Sequence, residues 1–288
     1  MVSNFLKQKK LAAKVRINRK IFNRRTNHPY ISGDGFAQLC DLDFFSPIRK
    51  KHFPSVSQIR SATTVFCPSD RLEEMFEYCG DNFRAKVVIA GNSDRDFFEP
   101  VFKIPESVNR IYLQNSHLDL GQYRTLPIGV ENLRFGKNGF TNLFDSKRVQ
   151  VLKKDAILVG PFSPTHAERK ELDGWFDIKD QRLFGVRNYL QSKEIAEISS
   201  QFKFVACPRG NGTDTHRFWE TLYRGSIPVV KKNNWSKLIE QLGVPVLQLQ
   251  QWDFEEFLFL KEKGEFNLFD PREIEALWLP YWRDLITS

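Results

Sequence analysis

Two arginines, two carboxylates and a glycine-rich turn crowd into one short run, Pro208–Glu220, which reads PRGNGTDTHRFWE. Arg209 and Arg217 are planar, permanently charged forks suited to phosphate oxygens. A charge-assisted hydrogen bond from either would contribute ~1.5–3 kcal/mol. Gly210 and Gly212 allow a ligand close to the backbone, and Asn211 and His216 add neutral donors. Thr213 or Asp214 can cap the helix that follows, whose first turn presents free N–H groups and a positive dipole end. A diphosphate is the natural guest. Glu220 admits two readings: it accepts from ribose hydroxyls beside that diphosphate, or it pairs with Arg224 four residues on. His216, four residues before Glu220, lies on the same helix face and taken alone reads as structural. The run is neither GxxxxGK[ST] nor GxGxxG, so phosphate binding rests on loop-and-dipole physics alone.

A loop of this kind needs a strand before it and a helix after it. Phe204–Cys207 is a short apolar run, and Phe218 with Leu222 and Trp219 with Tyr223 are i,i+4 pairs on a buried helix face ended by Gly225. The loop therefore sits at the carboxyl end of a strand, where open α/β sheets hold ligands. The same alternation runs along the chain. Strands are predicted at Thr63–Cys67, Ala85–Ala90, Arg110–Leu113, Tyr123–Ile128, Ala156–Val159 and Val244–Leu249. Helices are predicted at Ala37–Phe45, Arg71–Tyr78, Thr165–Leu172, Arg187–Ser200, Trp235–Leu242 and Phe254–Leu260, with a last one in the aromatic tail. His28–Gly33 reads as a strand running into the turn Gly33-Asp34-Gly35. The glycine- and asparagine-rich Glu131–Asn142 marks a domain boundary. The expected layout is a basic segment (1–25), an α/β domain (26–135), a second α/β domain (136–270) and a C-terminal helix (271–288).

Composition limits the functional classes. A chain of 288 residues with 41% hydrophobic and 27% charged residues can bury a core without disulfides or metals. Its four cysteines form no CxxC pair, which argues against a zinc site or a disulfide framework. No signal peptide and no long apolar run are visible, so a reducing, cytoplasmic location is expected. The net charge of +8 is local: nine lysines and arginines and no acid lie in residues 1–25. Taking those nine from 43 leaves 34 basic against 35 acidic residues, so the body is close to neutral. That disfavours nucleic acid as a partner. The basic segment suits peripheral contact with an anionic membrane face, or is simply solvated.

The segment CPRGNGTDTHRFWETLYRGSIPVV (207–230) resembles the nucleotide-sugar-binding segment of exostosin-like glycosyltransferases, above all their bacterial and viral branch, and more loosely that of fucosyltransferases. The match to PRG-x-G-x-D-x-x-R-x-x-E falls on Pro208, Arg209, Gly210, Gly212, Asp214, Arg217 and Glu220. Weaker echoes are LPIGVEN (126–132) and NSD (92–94), so the resemblance covers about 40 residues at most. It implies a GT-B fold, with two Rossmann-like α/β domains facing across a cleft, the first holding the acceptor and the second the donor. It implies an inverting transfer from a nucleotide-diphosphate sugar to a glycan or lipid-linked glycan in surface polysaccharide synthesis, with no cofactor and no metal. Arg209 and the amides of Gly210–Gly212 would hold the diphosphate, Arg217 would neutralise the leaving nucleotide, and Thr165 and Arg169 would line the pocket. Inversion needs a base in the first domain, and Asp34 comes first, then Asp94; either also reads as a turn-forming aspartate. Asp-x-Asp triplets at 41–43 and 94–96 could in principle hold a metal, but neither follows the donor loop. Animal exostosins are membrane-anchored, so heparan sulfate synthesis is not implied. The alternatives are a non-catalytic nucleotide-sugar or glycan-binding protein and, more remotely, a nucleic-acid-binding protein.

Overall fold

Short apolar and β-branched runs build two five-stranded sheets in the computed structural model, which describes residues 27–45, 53–100, 103–144 and 152–288. The basic segment 1–25, with its expected membrane contact, lies outside the described residues. The first sheet holds β1 (Leu42–Asp43), β2 (Thr64–Pro68), β3 (Val87–Gly91), β4 (Arg110–Leu113) and β5 (Tyr123–Thr125), side by side in that order. The second holds β6 (Lys154–Val159), β7 (Leu183–Gly185), β8 (Phe202–Ala206), β9 (Ile227–Lys231) and β10 (Leu247–Leu249), ordered β10-β9-β8-β6-β7. Every strand pairing within them is parallel. The protein is thus mixed α/β, with one Rossmann-like parallel sheet in each half. In the second sheet the order reverses at β6, which has β7 on one side and β8 on the other. Such a switch point opens a crevice beyond the carboxyl ends of the strands.

Helices α1 (Gly33–Gln38), α2 (Val56–Ser61) and α3 (Leu72–Cys79) belong to the first half. Helices α4 (Ser192–Ser199), α5 (His216–Tyr223), α6 (Asn234–Glu240) and α7 (Phe254–Lys263) belong to the second, and α8 (Leu279–Thr287) closes the chain. Among the described residues no helix is long and apolar enough to cross a membrane. Several stretches differ from the sequence reading: His28–Gly33 forms isolated bridges at Tyr30 and Ser32 rather than a strand, and in place of the helix expected at Thr165–Leu172 stands a 3-10 run, Ala167–Asp177. A helix was expected at Ala37–Phe45, but Ser32 caps the chain earlier by accepting from the Gly35 N–H, so α1 starts at Gly33. Leu42 and Asp43 then pair with Val65 and Phe66 as an edge strand. The helix expected from Arg187 starts only at Ser192, where Gln191 and Glu194 form a reciprocal cap. Residues 187–190 are left without helical structure.

Side chains that alternate along each strand separate into distinct cores. Val65, Cys67, Val88 and Ala90 face a cluster of the first half alone. Ile157, Val159, Phe204 and Ala206 pack with Phe257 in a cluster of the second. The opposite strand faces meet: Phe66, Ile89 and Tyr112 share one cluster with Leu158, Val205 and Val230. Helix α5 supplies Phe218, Trp219, Leu222 and Tyr223 to this common core, and α8 adds Trp282 and Ile286. The tail also returns to the first half directly, where Arg110 and Tyr112 donate to the Leu285 carbonyl at 3.1 and 3.3 Å.

Tyr223 is the joint of this arrangement. Its buried hydroxyl donates to the Leu277 carbonyl at 2.5 Å and accepts the Ile31 N–H at 3.1 Å. Replacing Tyr223 with Phe strands a buried donor and a buried acceptor, an effect of about 1–3 kcal/mol. Urea denaturation should show that loss of stability in Tyr223→Phe; a midpoint within error of wild type would refute the assignment.

Candidate functional site

Beyond the carboxyl ends of β6 and β8 lies a cavity of about 360 Å³, at the place where the strand order reverses. Pro161, Phe162 and Ser163 follow β6 into it, and Pro208 follows β8. Helix α5 and its C-cap contribute His216, Arg217, Glu220 and Arg224, a stripe at helical spacing. Arg169 comes from the 3-10 run Ala167–Asp177, and Arg187 and Tyr189 from the extended approach to α4.

Most of these groups are held by backbone. Arg217 donates to the carbonyls of Gly160 (3.1 Å) and Pro161 (2.7 Å), with its guanidinium over the Phe162 ring at 5.0 Å. Arg169 donates to the carbonyls of Arg209 (2.9 Å) and Ser163 (2.7 Å). His216 Nδ1 lies 2.7 Å from the Gly129 carbonyl, which only accepts, so Nδ1 carries a proton and donates it there. Glu220 Oε2 stands 3.6 Å from Arg224 Nη1. Burial lowers the pKa of Arg169, Arg217 and Arg224 below the ordinary arginine value, yet a guanidinium stays protonated at neutral pH. Positive charge around one carboxylate, in partly desolvated surroundings, is an arrangement for binding an oxyanion next to a hydroxyl-bearing group.

The glycine-rich loop is placed otherwise than expected. Its polar groups are engaged by the first half of the chain. Arg209 pairs with Asp96, whose other oxygen accepts the Thr213 N–H at 2.9 Å. Asn211 donates to Asp94 at 3.0 Å. The Thr213 hydroxyl meets His117 Nε2 at 3.1 Å, while His117 Nδ1 accepts the Trp235 N–H at 3.3 Å. Asp214 is buried; it accepts from the Ile128 N–H and from Trp219 Nε1, both at 2.7 Å, and its own N–H reaches Asn115 Oδ1 at 2.9 Å. Gly212 is required for this docking, because a Cβ there would lie 2.5 Å from Asn115 Oδ1. Gly210 lies against Arg169 and Thr165, with a Cβ there 3.0 Å from Arg169 Nη2 and 3.7 Å from Thr165 Oγ1. Of the donor-site residues expected from sequence, Arg169, His216, Arg217 and Glu220 come together around the cavity. Arg209, Asn211, Gly212 and Asp214 form the seam between the halves instead.

A second cavity, about 240 Å³, lies in the first half and is lined by Asp34, Asp43, Phe45, Asp70, Arg71, Asn92 and Arg134, among others. Asp34 is in the first turn of α1 rather than in a free turn. It accepts from Arg134 at 2.6 Å and from Asn92 Nδ2 at 3.2 Å, and its N–H reaches Asn132 Oδ1 at 2.7 Å. Burial raises its pKa, against the opposing pull of Arg134 and the Asn92 hydrogen bond. Phe45 and Asn92 hold left-handed backbones (φ 59° and 54°), strain that accumulates at ligand sites. Asp94 is exposed and serves the seam through Asn211. Asp41 accepts the N–H groups of Thr63 and Thr64 at 2.8 and 2.9 Å, which lowers its pKa. Among the described residues no cluster of three or more His, Cys, Asp or Glu side chains is positioned to hold a metal.

Sequence reasoning missed Arg187, Tyr189 and Phe162, and saw Arg224 only as an ion-pair partner. Spacing does carry a signal for Arg224, since 216, 220 and 224 recur every four residues. Nothing in the local sequence marks 187–189, which reads as the start of a helix.

No family model matches the chain, and no curated protein does. A solved α1,3-fucosyltransferase is similar at a TM-score of 0.36 and 12% identity, over 79% of this chain and 78% of that one.

Burial pushes the Asp214 carboxyl up to about 7, against three hydrogen bonds that pull it down, and nearby Asp96 adds to the rise. An unfolded aspartate titrates near ~3.9, so between about pH 4 and pH 7 the folded state binds the extra proton. That contribution to stability is full below pH 4 and is lost as pH rises through 7. Urea midpoints at pH 5 and 7.5 should therefore fall more steeply for wild type than for Asp214→Asn. Parallel slopes would return this carboxyl to the ordinary range.

Proposed function

We propose that this protein is a glycosyltransferase that binds a nucleotide-diphosphate sugar in the cavity of its second half. It passes the sugar to a hydroxyl of a glycan or lipid-linked glycan, with inversion and without a metal. The observation that carries this reading is the cavity at the β6/β8 switch point, with the buried Arg224 and the half-buried Arg169 and Arg217 on its wall around the single carboxylate Glu220. Open α/β sheets bind nucleotides at such points. Preorganised guanidinium groups there would stabilise the charge that develops on a departing diphosphate. The resemblance of Pro208–Glu220 to nucleotide-sugar-binding segments supports the same class.

In the proposed transfer the acceptor oxygen attacks the anomeric carbon while the bond from that carbon to the diphosphate oxygen breaks. The acceptor's proton passes to a carboxylate, and the nucleoside diphosphate leaves with the electron pair of the broken bond. Asp34 is the base we assign, because it lines a cavity of the first half and its raised pKa makes it a better proton acceptor. Asp94, bonded to Asn211, is assigned to the seam. One observation favours a rival: Asp34 is already paired with Arg134 at 2.6 Å, as it would be in a nucleotide-sugar-binding protein without catalysis.

A thermal-shift panel of UDP, GDP, CMP and their sugar conjugates, with and without EDTA, tests the donor site. A ligand at about a hundred times its dissociation constant stabilises the folded state by ~2.7 kcal/mol. One nucleotide should shift the melting temperature whether or not EDTA is present; no shift from any would sink the reading. With donor and acceptor in hand, Asp34→Asn should lower kcat about 10²- to 10⁴-fold and leave donor affinity unchanged. Binding without turnover in wild type would favour the rival.

A further inference from the structure

Of the arginines around the cavity, Arg224 is the one whose donors the fold uses least. Its side chain is only 6% exposed, yet Nε has no hydrogen-bond partner among the described residues. Nη1 reaches Glu220 only at 3.6 Å, too long for a good hydrogen bond, and the guanidinium carbon lies 5.0 Å from the Phe144 ring centroid. Its neighbours are better provided for. Arg217 and Arg169 each donate to two backbone carbonyls, and Arg187 pairs with Asp177 at 3.2 Å. Lys153 brings another cation close, donating to the Arg224 carbonyl at 3.0 Å and to the Ser200 carbonyl at 2.5 Å. Burial and the Arg224 charge together push that amine down to about 8.

A buried guanidinium with an orphaned Nε and one loose, shared counter-ion is unfavourable unless a ligand completes it. The charge count identifies that ligand. Among the residues lining the cavity, Arg169, Arg217 and Arg224 face Glu220 as the one carboxylate, an excess of two positive charges once Arg187 is set against Asp177. A diphosphate esterified at both ends carries the matching negative charge.

We propose that Arg224 is the anchor of the diphosphate, donating through Nε and an Nη in a bidentate contact, with Arg217 two turns earlier along the helix. The oxyanion chemistry follows from the cavity itself; its identification as part of a nucleotide sugar rests on the function proposed above. Glu220 then has two tasks at once, orienting Arg224 and accepting a hydroxyl from the same ligand.

Calorimetric titration with inorganic pyrophosphate, the nucleoside diphosphates and the uncharged nucleosides tests the anchor in wild type, Arg224→Met and Arg224→Lys. Methionine keeps much of the apolar stem and removes every donor. Arg224→Met should weaken pyrophosphate and nucleoside diphosphate about 10- to 150-fold, the worth of a charged hydrogen bond, and leave nucleoside binding unchanged. Lysine, a point charge without the fork, should recover only part of that loss. Ligand-free urea midpoints show whether each variant is folded. If Arg224→Met does not fold, the Arg224 Nε–H resonance of wild type should move on adding pyrophosphate, and a stationary resonance overturns the anchor. Unchanged nucleotide affinity in a folded Arg224→Met overturns the anchor and leaves the nucleotide-sugar reading standing. Pyrophosphate bound by wild type and lost in the variant, with no nucleotide bound by either, keeps the anchor and overturns that reading. Neither probe bound by wild type overturns both.

Discussion

The Asp214 carboxylate sits between the two halves of the chain, shut off from water and supplied with donors from both sides. Ile128 donates to it from the first half and Trp219 from the second, while Asn115 takes its backbone N–H. A carboxyl group buried in this way is tolerable only when its oxygens are hydrogen-bonded, so the surrounding residues are constrained in turn. Asn115 adopts a left-handed backbone at φ 54°, and Gly212 must lack a Cβ so that the Asn115 amide can approach. Asp96 extends the seam, bonding both the Arg209 side chain and the Thr213 N–H. The buried polar groups fix the register between the sheets, and the shared apolar cluster supplies the bulk of the attraction.

Helix α5 transmits this docking to the cavity. One face of it carries Phe218, Trp219, Leu222 and Tyr223 into the common core. The other carries His216, Arg217, Glu220 and, past its end, Arg224 to the cavity wall. Asp214 precedes the first turn and also grips Trp219, so moving the seam would move the stripe. His216 makes the link explicit, since its ring lines the cavity while Nδ1–H bonds the Gly129 carbonyl of the first half. The LPIGVEN segment, which reads from sequence as a faint echo of a motif, thus serves as the first half's edge of the seam, through Ile128 and Gly129.

What could be read in the sequence follows from how local each cause is. The alternation of strand and helix, and with it the pair of parallel sheets, follows from short-range periodicity, and β4 falls on the predicted residues. The stripe on α5 is likewise a matter of spacing. The roles of Arg209 and Asp214 were not legible, because residue types do not reveal their partners. Asp96 is 113 residues from Arg209 and Ile128 is 86 from Asp214. A loop crowded with donors looks the same whether it meets a phosphate or a neighbouring domain. The 187–190 stretch was misread for a related reason: its composition allows a helix, and a reciprocal cap at Gln191 and Glu194 decides where the helix starts.

The excess positive charge at the cavity bears on how the fold tolerates its own site. An incompletely bonded buried guanidinium opposes folding, by roughly 1–3 kcal/mol or more for a charged group. On the opposite face of the same helix, four fully buried apolar or aromatic side chains each contribute on the order of 1.5–3 kcal/mol. The second effect exceeds the first several-fold, so α5 stays docked and Arg224 stays buried without an anion present. Because the buried face meets the common core, that surplus comes from both halves of the chain. A helix anchored only to its own sheet would have less to set against the same charge. The seam and the cavity are therefore one energetic system, in which packing between the halves holds the cationic wall in place for a ligand.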